Sequence, residues 1–294
     1  MVSVRTDDFV YEGHRLVFDE YGSGPRPLIL LPGLLLPRSM HRPLAMALAE
    51  RGNRVIVLDP LGHGESDRPR DMTLYSFPIF AQQVLGLMDD LGIEEAVVGG
   101  TSLGANIALE ALAAAPERFR GSIIEMPVLD NALLGCALAF TPLLVAVTFG
   151  KPVTKAVAAL LRRVPRTPWH MANVGLDWIS QDPEPSGHYL QGLFFGRIAP
   201  PKSERSQIET PSLVIGHDRD PVHPFSDADA LHGELRNSRM VQASWIGELR
   251  VSPKRLTNEI GAFVDQCWQQ PSAGASSRGG SASKRRRAGA AGSR

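Results

Sequence analysis

The sequence predicts an α/β protein with a mostly parallel central sheet, helices on both faces, and a helical cap inserted before the last strands. Three observations predict it. Short apolar runs of strand length alternate with stretches of helical spacing from about residue 27 to 126, that alternation breaks between 128 and 207, and TPSLVIG at 210–216 then restores it. Parallel neighbours in a sheet need a crossover, and a helix supplies it, so repeated strand–helix–strand units imply parallel strands covered on both sides.

Residues 1–20 read as an opening hairpin, because Phe9, Tyr11, Leu16 and Phe18 alternate around a turn at Gly13. PLILLPG, 27–33, is a continuous apolar run stopped by Pro32 and Gly33, the pattern of a strand buried on both faces. MHRPLAMALAERG places Leu44, Ala47 and Leu48 at helical spacing and stops at Gly52, and RVIVLDP follows as a second buried strand ending at Asp59. A helix over about 76–91, the strand EAVVGG at 95–100, a helix over about 103–114 and the strand GSIIEM at 121–126 continue the pattern. Residues 128–207 are mostly helical in character, interrupted by Pro142, Pro152, Pro165 and Pro168. RMVQAS at 239–244 reads as the last strand. The predicted organisation is a core of residues 1–127 and 208–268, a cap at 128–207, and a basic tail at 269–294.

Composition narrows the class. With 294 residues, 43% of them hydrophobic, the chain can bury a full core. Cys136 and Cys267 lack the spacing of a disulfide framework or a zinc site and read as buried small hydrophobes. No metal or cofactor is expected. The amino terminus carries Asp7 and Asp8 and has no apolar run of signal-peptide length, so a cytoplasmic address is expected. The formal charge of zero hides a division: the last 24 residues hold six basic side chains and no acidic one, leaving the remainder net negative by six. An acidic body argues against nucleic-acid binding by the fold. The tail has no aromatic or β-branched residue and is expected to be disordered, its KRRR cluster a solvated stretch.

Asn131–Gly150 is twenty residues without a charge, which just reaches the length of a bilayer span. Pro142 in its middle, its place between two sheet strands, and the absence of a second apolar segment favour an apolar cap helix lining a hydrophobic pocket. No membrane partner is expected.

The segment VVGGTSLGANIALEALA carries the chemistry. Gly100-Thr101-Ser102-Leu103-Gly104 is G-x-S-x-G between a buried strand and a helix, the nucleophile elbow in which a strained turn presents the serine hydroxyl. Such a turn brings neighbouring backbone very close, and Gly100 and Gly104 supply the small flanks. Ser102 then stands at a helix amino terminus, where free N–H groups and the dipole favour developing negative charge. VIVLDPLGHGESDRP at 55–69 adds Asp59, Gly62, Gly64 and Ser66 as D-x-x-G-x-G-x-S, and LLPGLLL adds a loop in which Pro32 precedes Gly33.

With these motifs the sequence resembles the α/β-hydrolase superfamily over roughly residues 9–265. The resemblance implies the α/β-hydrolase fold and a serine nucleophile at Ser102. It implies an oxyanion hole from the backbone N–H groups of Leu103 and Leu34. It also implies an acid in the loop Gly216-His217-Asp218-Arg219-Asp220-Pro221-Val222-His223-Pro224. Asp220 fits the family's loop better than Asp218, which reads as a surface or capping carboxylate; Asp130, just after GSIIEM, is an alternative position for the acid. The family's histidine follows the last strand, and here no histidine occurs after His232. His63 lies in the Gly-His-Gly loop that is structural in the family, while His14, His170 and His188 read as surface or satisfied histidines. His223 and His41 remain as candidates, with His223 preferred because it shares a loop with Asp220. The expected function is an esterase-like serine hydrolase that cleaves a small apolar ester through an acyl-enzyme. The alternative is a catalytically weak or inactive member of the fold that binds an apolar small molecule or a partner.

Overall fold

The alternation at the amino terminus folds as a hairpin, β1 (Val4–Tyr11) against β2 (His14–Tyr21), with Glu12 and Gly13 at φ 49° and 82° making the turn. In this computed structural model, residues 2–270 are described apart from Arg219 and Pro221. The expected tail therefore lies outside the described residues, except that the last helix runs through Gln269.

The apolar runs become the inner strands. β3 (Arg26–Leu31), β4 (Asn53–Asp59), β5 (Ala96–Thr101), β6 (Phe119–Glu125) and β7 (Ser212–His217) are almost wholly buried, and β8 (Ser238–Ala243) closes the far edge. The eight strands lie in the order β1-β2-β4-β3-β5-β6-β7-β8. β1, β2 and β4 pair antiparallel; every other pairing is parallel. Reversal of strand order beside β3 places β5 at the middle of the sheet, and its carboxyl end is where a site forms in such folds.

Helices cover both faces. α1 (Arg42–Glu50) and α11 (Lys254–Gln269) bury Leu44, Leu48, Leu256, Ile260 and Val264 against one face. α2 (Phe77–Asp90) and α3 (Leu103–Ala114) bury Phe80, Val84, Leu87, Ile107 and Leu109 against the other. α2 begins where Ser76 Oγ accepts the Ile79 N–H and Pro78 takes a first-turn position whose N–H needs no partner.

Between β6 and β7 stand the cap helices α4 (Leu133–Phe149), α5 (Lys151–Leu161), α6 (His170–Ile179) and α7 (Pro183–Phe195). The chain returns through the short α8 (Lys202–Arg205); α9 (Phe225–Glu234) and the short α10 (Glu248–Val251) flank β8. Two buried side chains hold the entry to the cap. Asn106 on α3 accepts the Val128 N–H and donates to the carbonyls of Val128 and Ile198 at 2.7 and 2.9 Å. Asp227 on α9 accepts the N–H groups of Leu129, Asn131 and Ala132 and the side-chain amide of Asn131, all within 3.0 Å.

Because Asp227 is fully buried, its removal strands several donors at once. Asp227→Ala is expected to lower unfolding free energy by about 3 kcal/mol, read from the urea midpoint, while Asp229→Ala on the same helix changes it by less than about 0.5.

Candidate active site

The site is built on the end of β5. Ser102 adopts φ 56° and ψ −113°, a left-handed conformation that a side-chain-bearing residue keeps only when its surroundings enforce it. The glycines permit it. A Cβ on Gly100 would lie 2.3 Å from the Gly104 carbonyl carbon, and one on Gly104 would lie 2.2 Å from Leu31 O. Ser102 N donates to Glu125 O at 2.8 Å, so the turn is tied to the neighbouring strand as well.

His223 reaches Ser102. Its Nε2 lies 2.8 Å from Ser102 Oγ, and its Nδ1 lies 2.8 Å from Asp220 Oδ2. The tautomer that satisfies both contacts carries the proton on Nδ1, leaving Nε2 to accept from the serine hydroxyl. Asp220 is fixed from its other oxygen, since Oδ1 accepts the N–H groups of Val222 and His223 at 2.8 and 3.0 Å. Burial pushes the Asp220 carboxyl up, but the His223 side chain and these backbone donors outweigh it and hold the group below its ordinary value. One turn thus sets both the carboxylate and the imidazole.

The remaining candidates lie elsewhere. Asp130 and Asp218 are exposed. His41 donates from Nε2 to Leu31 O at 2.9 Å; burial and the charge of Arg250 push it down to about 4, so it stays neutral as a structural group. His170 donates to Ser39 O, and His14 and His188 are half-buried without contact to the serine. His63 Nε2 accepts the Leu35 N–H at 3.1 Å, and burial followed by the charge of Arg68 lowers it to about 3.

That last contact shapes the loop after β3. Leu35 stands at φ 56°, held by His63 on its N–H and by the Gln181 side-chain amide of the cap on its carbonyl. Trp178 Nε1 donates to Leu34 O at 3.1 Å. Leu34 and Leu103 line the same pocket as Ser102, and Leu103 opens α3, where first-turn N–H groups have no acceptor within the helix. Asp59 braces the loop from behind by accepting the Arg38 backbone N–H and guanidinium, and Gly64 passes so close that a Cβ there would sit 1.8 Å from its carboxylate.

The pocket holds about 270 Å³ and its walls are apolar: Phe77, Val128, Phe140, Leu190, Leu193 and Ile198 surround the serine. Cys136, expected to be buried, is instead half-buried on this wall. Burial, with the charges of Asp227 and Asp220, raises its thiol to about 11, which leaves it a neutral wall group and not a nucleophile. Among the described residues, no group of three His, Cys, Asp or Glu is placed to hold a metal ion.

Sequence reasoning missed a polar cluster beneath the elbow. Glu125 closes β6 and is buried; its carboxylate accepts from Thr101 Oγ1 and from Arg250 at 2.7 Å, with His217 Nε2 3.4 Å away. Arg250 also donates to Thr101 Oγ1 at 2.6 Å, so the residue before the nucleophile is clamped by a strand and by α10. The signal was a lone carboxylate, Glu125, inside the otherwise uncharged strand GSIIEM.

The sequence matches the alpha/beta hydrolase fold family over residues 26–244. It is similar to the AB hydrolase superfamily protein YisY of Bacillus subtilis, 25% identical over 255 residues covering 81% of this chain and 88% of that protein. A stretch of 81 residues is 37% identical to 2-hydroxymuconate semialdehyde hydrolase of a Pseudomonas species, covering 28% of each. The solved enol-lactonase of Burkholderia xenovorans LB400 shares the fold with a TM-score of 0.70 at 24% identity, over 88% of this chain and 100% of that one. The esterase of Exiguobacterium antarcticum does so with a TM-score of 0.70 at 19% identity, over 86% and 97%.

The cluster under Thr101 makes a pH-dependent contribution. Burial raises the Glu125 carboxyl, but Arg250 foremost, then His217 and Thr101, hold it far below its ordinary value. Stabilisation of this sign is complete above the unfolded carboxylate value near 4 and is lost as pH falls through the folded one. Glu125→Gln is therefore expected to cost roughly 3 kcal/mol at pH 7, a deficit in thermal unfolding that narrows only below about pH 4.

Proposed function

The chain belongs to the alpha/beta hydrolase fold family, and from that premise we propose that it is a serine hydrolase of small apolar carboxylic esters. The observation that carries the proposal is the unbroken relay from Asp220 through His223 to Ser102, with two contacts of 2.8 Å. Ser102 Oγ attacks the ester carbonyl as His223 Nε2 takes its proton. Asp220 holds Nδ1–H and stabilises the imidazolium that forms. The tetrahedral oxyanion is received by the N–H groups of Leu103 and Leu34, each such donor worth about 3–4 kcal/mol of barrier. Collapse expels the alcohol, which takes the proton back from His223. Water activated by the same imidazole then releases the acid and restores the serine.

The pocket supports the substrate class. Among the described residues its walls offer a charged acyl group no partner, and its 270 Å³ lies just below the range for small-molecule sites, which begins at about 300 Å³. A lactone is an internal ester and meets the same groups. The reading as a binding-only member rested on the lack of a histidine after the last strand. His223, on the acid loop, answers that objection.

A fluorophosphonate probe is expected to label the intact protein at Ser102, and Ser102→Ala to lose both labelling and turnover of a short p-nitrophenyl ester with its melting temperature retained. His223→Ala is expected to lower kcat by about 10²–10⁴-fold. Full activity in Ser102→Ala, or an unchanged rate in His223→Ala, would remove the relay as the reacting centre.

A further inference from the structure

The cap presents an outward surface that the pocket does not use. Along residues 130–149 only Ala132 and Val147 are buried. The inward side of α4 lines the pocket through Leu133, Cys136, Ala137 and Phe140 in its first half and packs Leu143, Leu144 and Val147 against the apolar interior in its second. The outward side carries Leu134, Leu138, Val145 and Phe149, spaced by four, seven and four residues, with Leu134 71% and Phe149 82% exposed. This is where the expectation of a pocket-lining helix falls short. Helix α4 lines the pocket with one edge and turns a whole apolar stripe to the outside.

Helix α5 repeats the arrangement and adds charge. At 100° per residue, Val153, Val157 and Leu160 share one side of it, all exposed. Lys151, Lys155 and Arg162 share the opposite side, and the exposed Ala156 and Ala159 lie between the two rows. Trp169 follows, 79% exposed. A helix with an apolar arc, a basic flank and a neighbouring exposed Trp has the make-up of a segment that lies in the plane of a lipid interface.

Charge over the whole molecule selects the occupant of this surface. Residues 128–207 carry eight Lys and Arg against five Asp and Glu, whereas the rest of the chain to residue 270 carries seventeen against twenty-six. An anionic bilayer attracts the first part and repels the second, which orients the molecule cap-down. A second copy meeting the same face by two-fold symmetry would set the two basic flanks together.

We infer that the cap docks on anionic lipid surfaces through the outward stripes of α4 and α5, lying in the interface and not spanning it. Spanning would require α4 to leave the pocket and the cap helices that its inward side packs against. This departs from the sequence expectation of no membrane partner. Leu133 and Phe194 each line the pocket and are 45% and 44% exposed, so the apolar surface runs from the outside into the pocket. If the hydrolase reading holds, an apolar ester dissolved in the bilayer reaches Ser102 without crossing water; the docking itself does not depend on that reading.

The test is flotation of the full chain with phosphatidylcholine vesicles, with and without phosphatidylglycerol. Binding is expected with the anionic lipid and is expected to weaken with salt and with phosphatidylcholine alone. Leu138→Asp, Phe149→Asp and Leu160→Asp in one chain are expected to weaken it by about tenfold or more, leaving circular dichroism and turnover of a short soluble ester unchanged. Lys151→Glu with Arg162→Glu, which leaves every apolar residue in place, is expected to weaken it as well. The basic tail is separated by Lys284→Ser, Arg285→Ser, Arg286→Ser and Arg287→Ser in the full chain, which is expected to keep binding within about twofold. The inference is overturned if the intact protein ignores both vesicles, or if the tail variant alone loses binding while the cap variants keep it. It is equally overturned if sedimentation shows a dimer that the apolar variant dissociates with no lipid bound to either form.

Discussion

A serine that projects from a strand-to-helix turn needs the surrounding backbone to approach more closely than side chains allow, and the rest of this site is arranged around that approach. Gly100, Gly104 and Leu31 meet at distances where no Cβ fits, and Ser102 stands at positive φ because of it. Strain of this kind costs about 1–3 kcal/mol and persists only where neighbours over-determine the conformation. Here the neighbours are specific. The elbow is bonded to β6 through Ser102 N and Glu125 O, and the preceding Thr101 is clamped between the Glu125 carboxylate and Arg250.

The polar groups beneath and beside the elbow divide the work by charge state. Glu125 stays ionised because Arg250 faces it, and that pair sits under Thr101. His41 and His63 stay neutral because they are buried near cations, and each bonds one backbone group of the loop after β3 or of β3 itself. Of the histidines near the elbow, only His223 faces both a carboxylate and the serine hydroxyl. Such a relay asks for two distances and a tautomer, not for a particular place in the chain. Asp220 meets the requirement locally, because its Oδ1 caps the turn that carries His223. The segment after β8 is thereby released from supplying an imidazole, and it leads instead into α10, which carries Arg250 to the cluster.

The cap closes the site with few polar ties. Trp178 and Gln181 hold the carbonyls of Leu34 and Leu35, and Asn106 and Asp227 hold the point where the cap leaves the core. Because these bonds fix the base of the cap, the helices above can keep their outward surface apolar without losing their position. The same helix that narrows the pocket with Phe140 exposes Phe149 about two and a half turns later.

The sequence by itself determined the sheet, because buried parallel strands are short apolar runs and each was legible as one. It made Ser102 a candidate through the small residues its turn requires, and Asp220 a candidate through its loop. Tertiary structure alone brought an imidazole to the serine. Along the chain both His223 and His41 were open, with His223 preferred for sharing a loop with Asp220, and only folding shows that one reaches the hydroxyl at 2.8 Å while the other turns to Leu31 O. It decided the Glu125–Arg250–Thr101 cluster for the same reason, since residues 125 apart in sequence carry no local pattern that joins them. It also decided which sides of α4 face inward. An uncharged helix reads the same from every direction, and only the body it packs against gives it an inside and an outside.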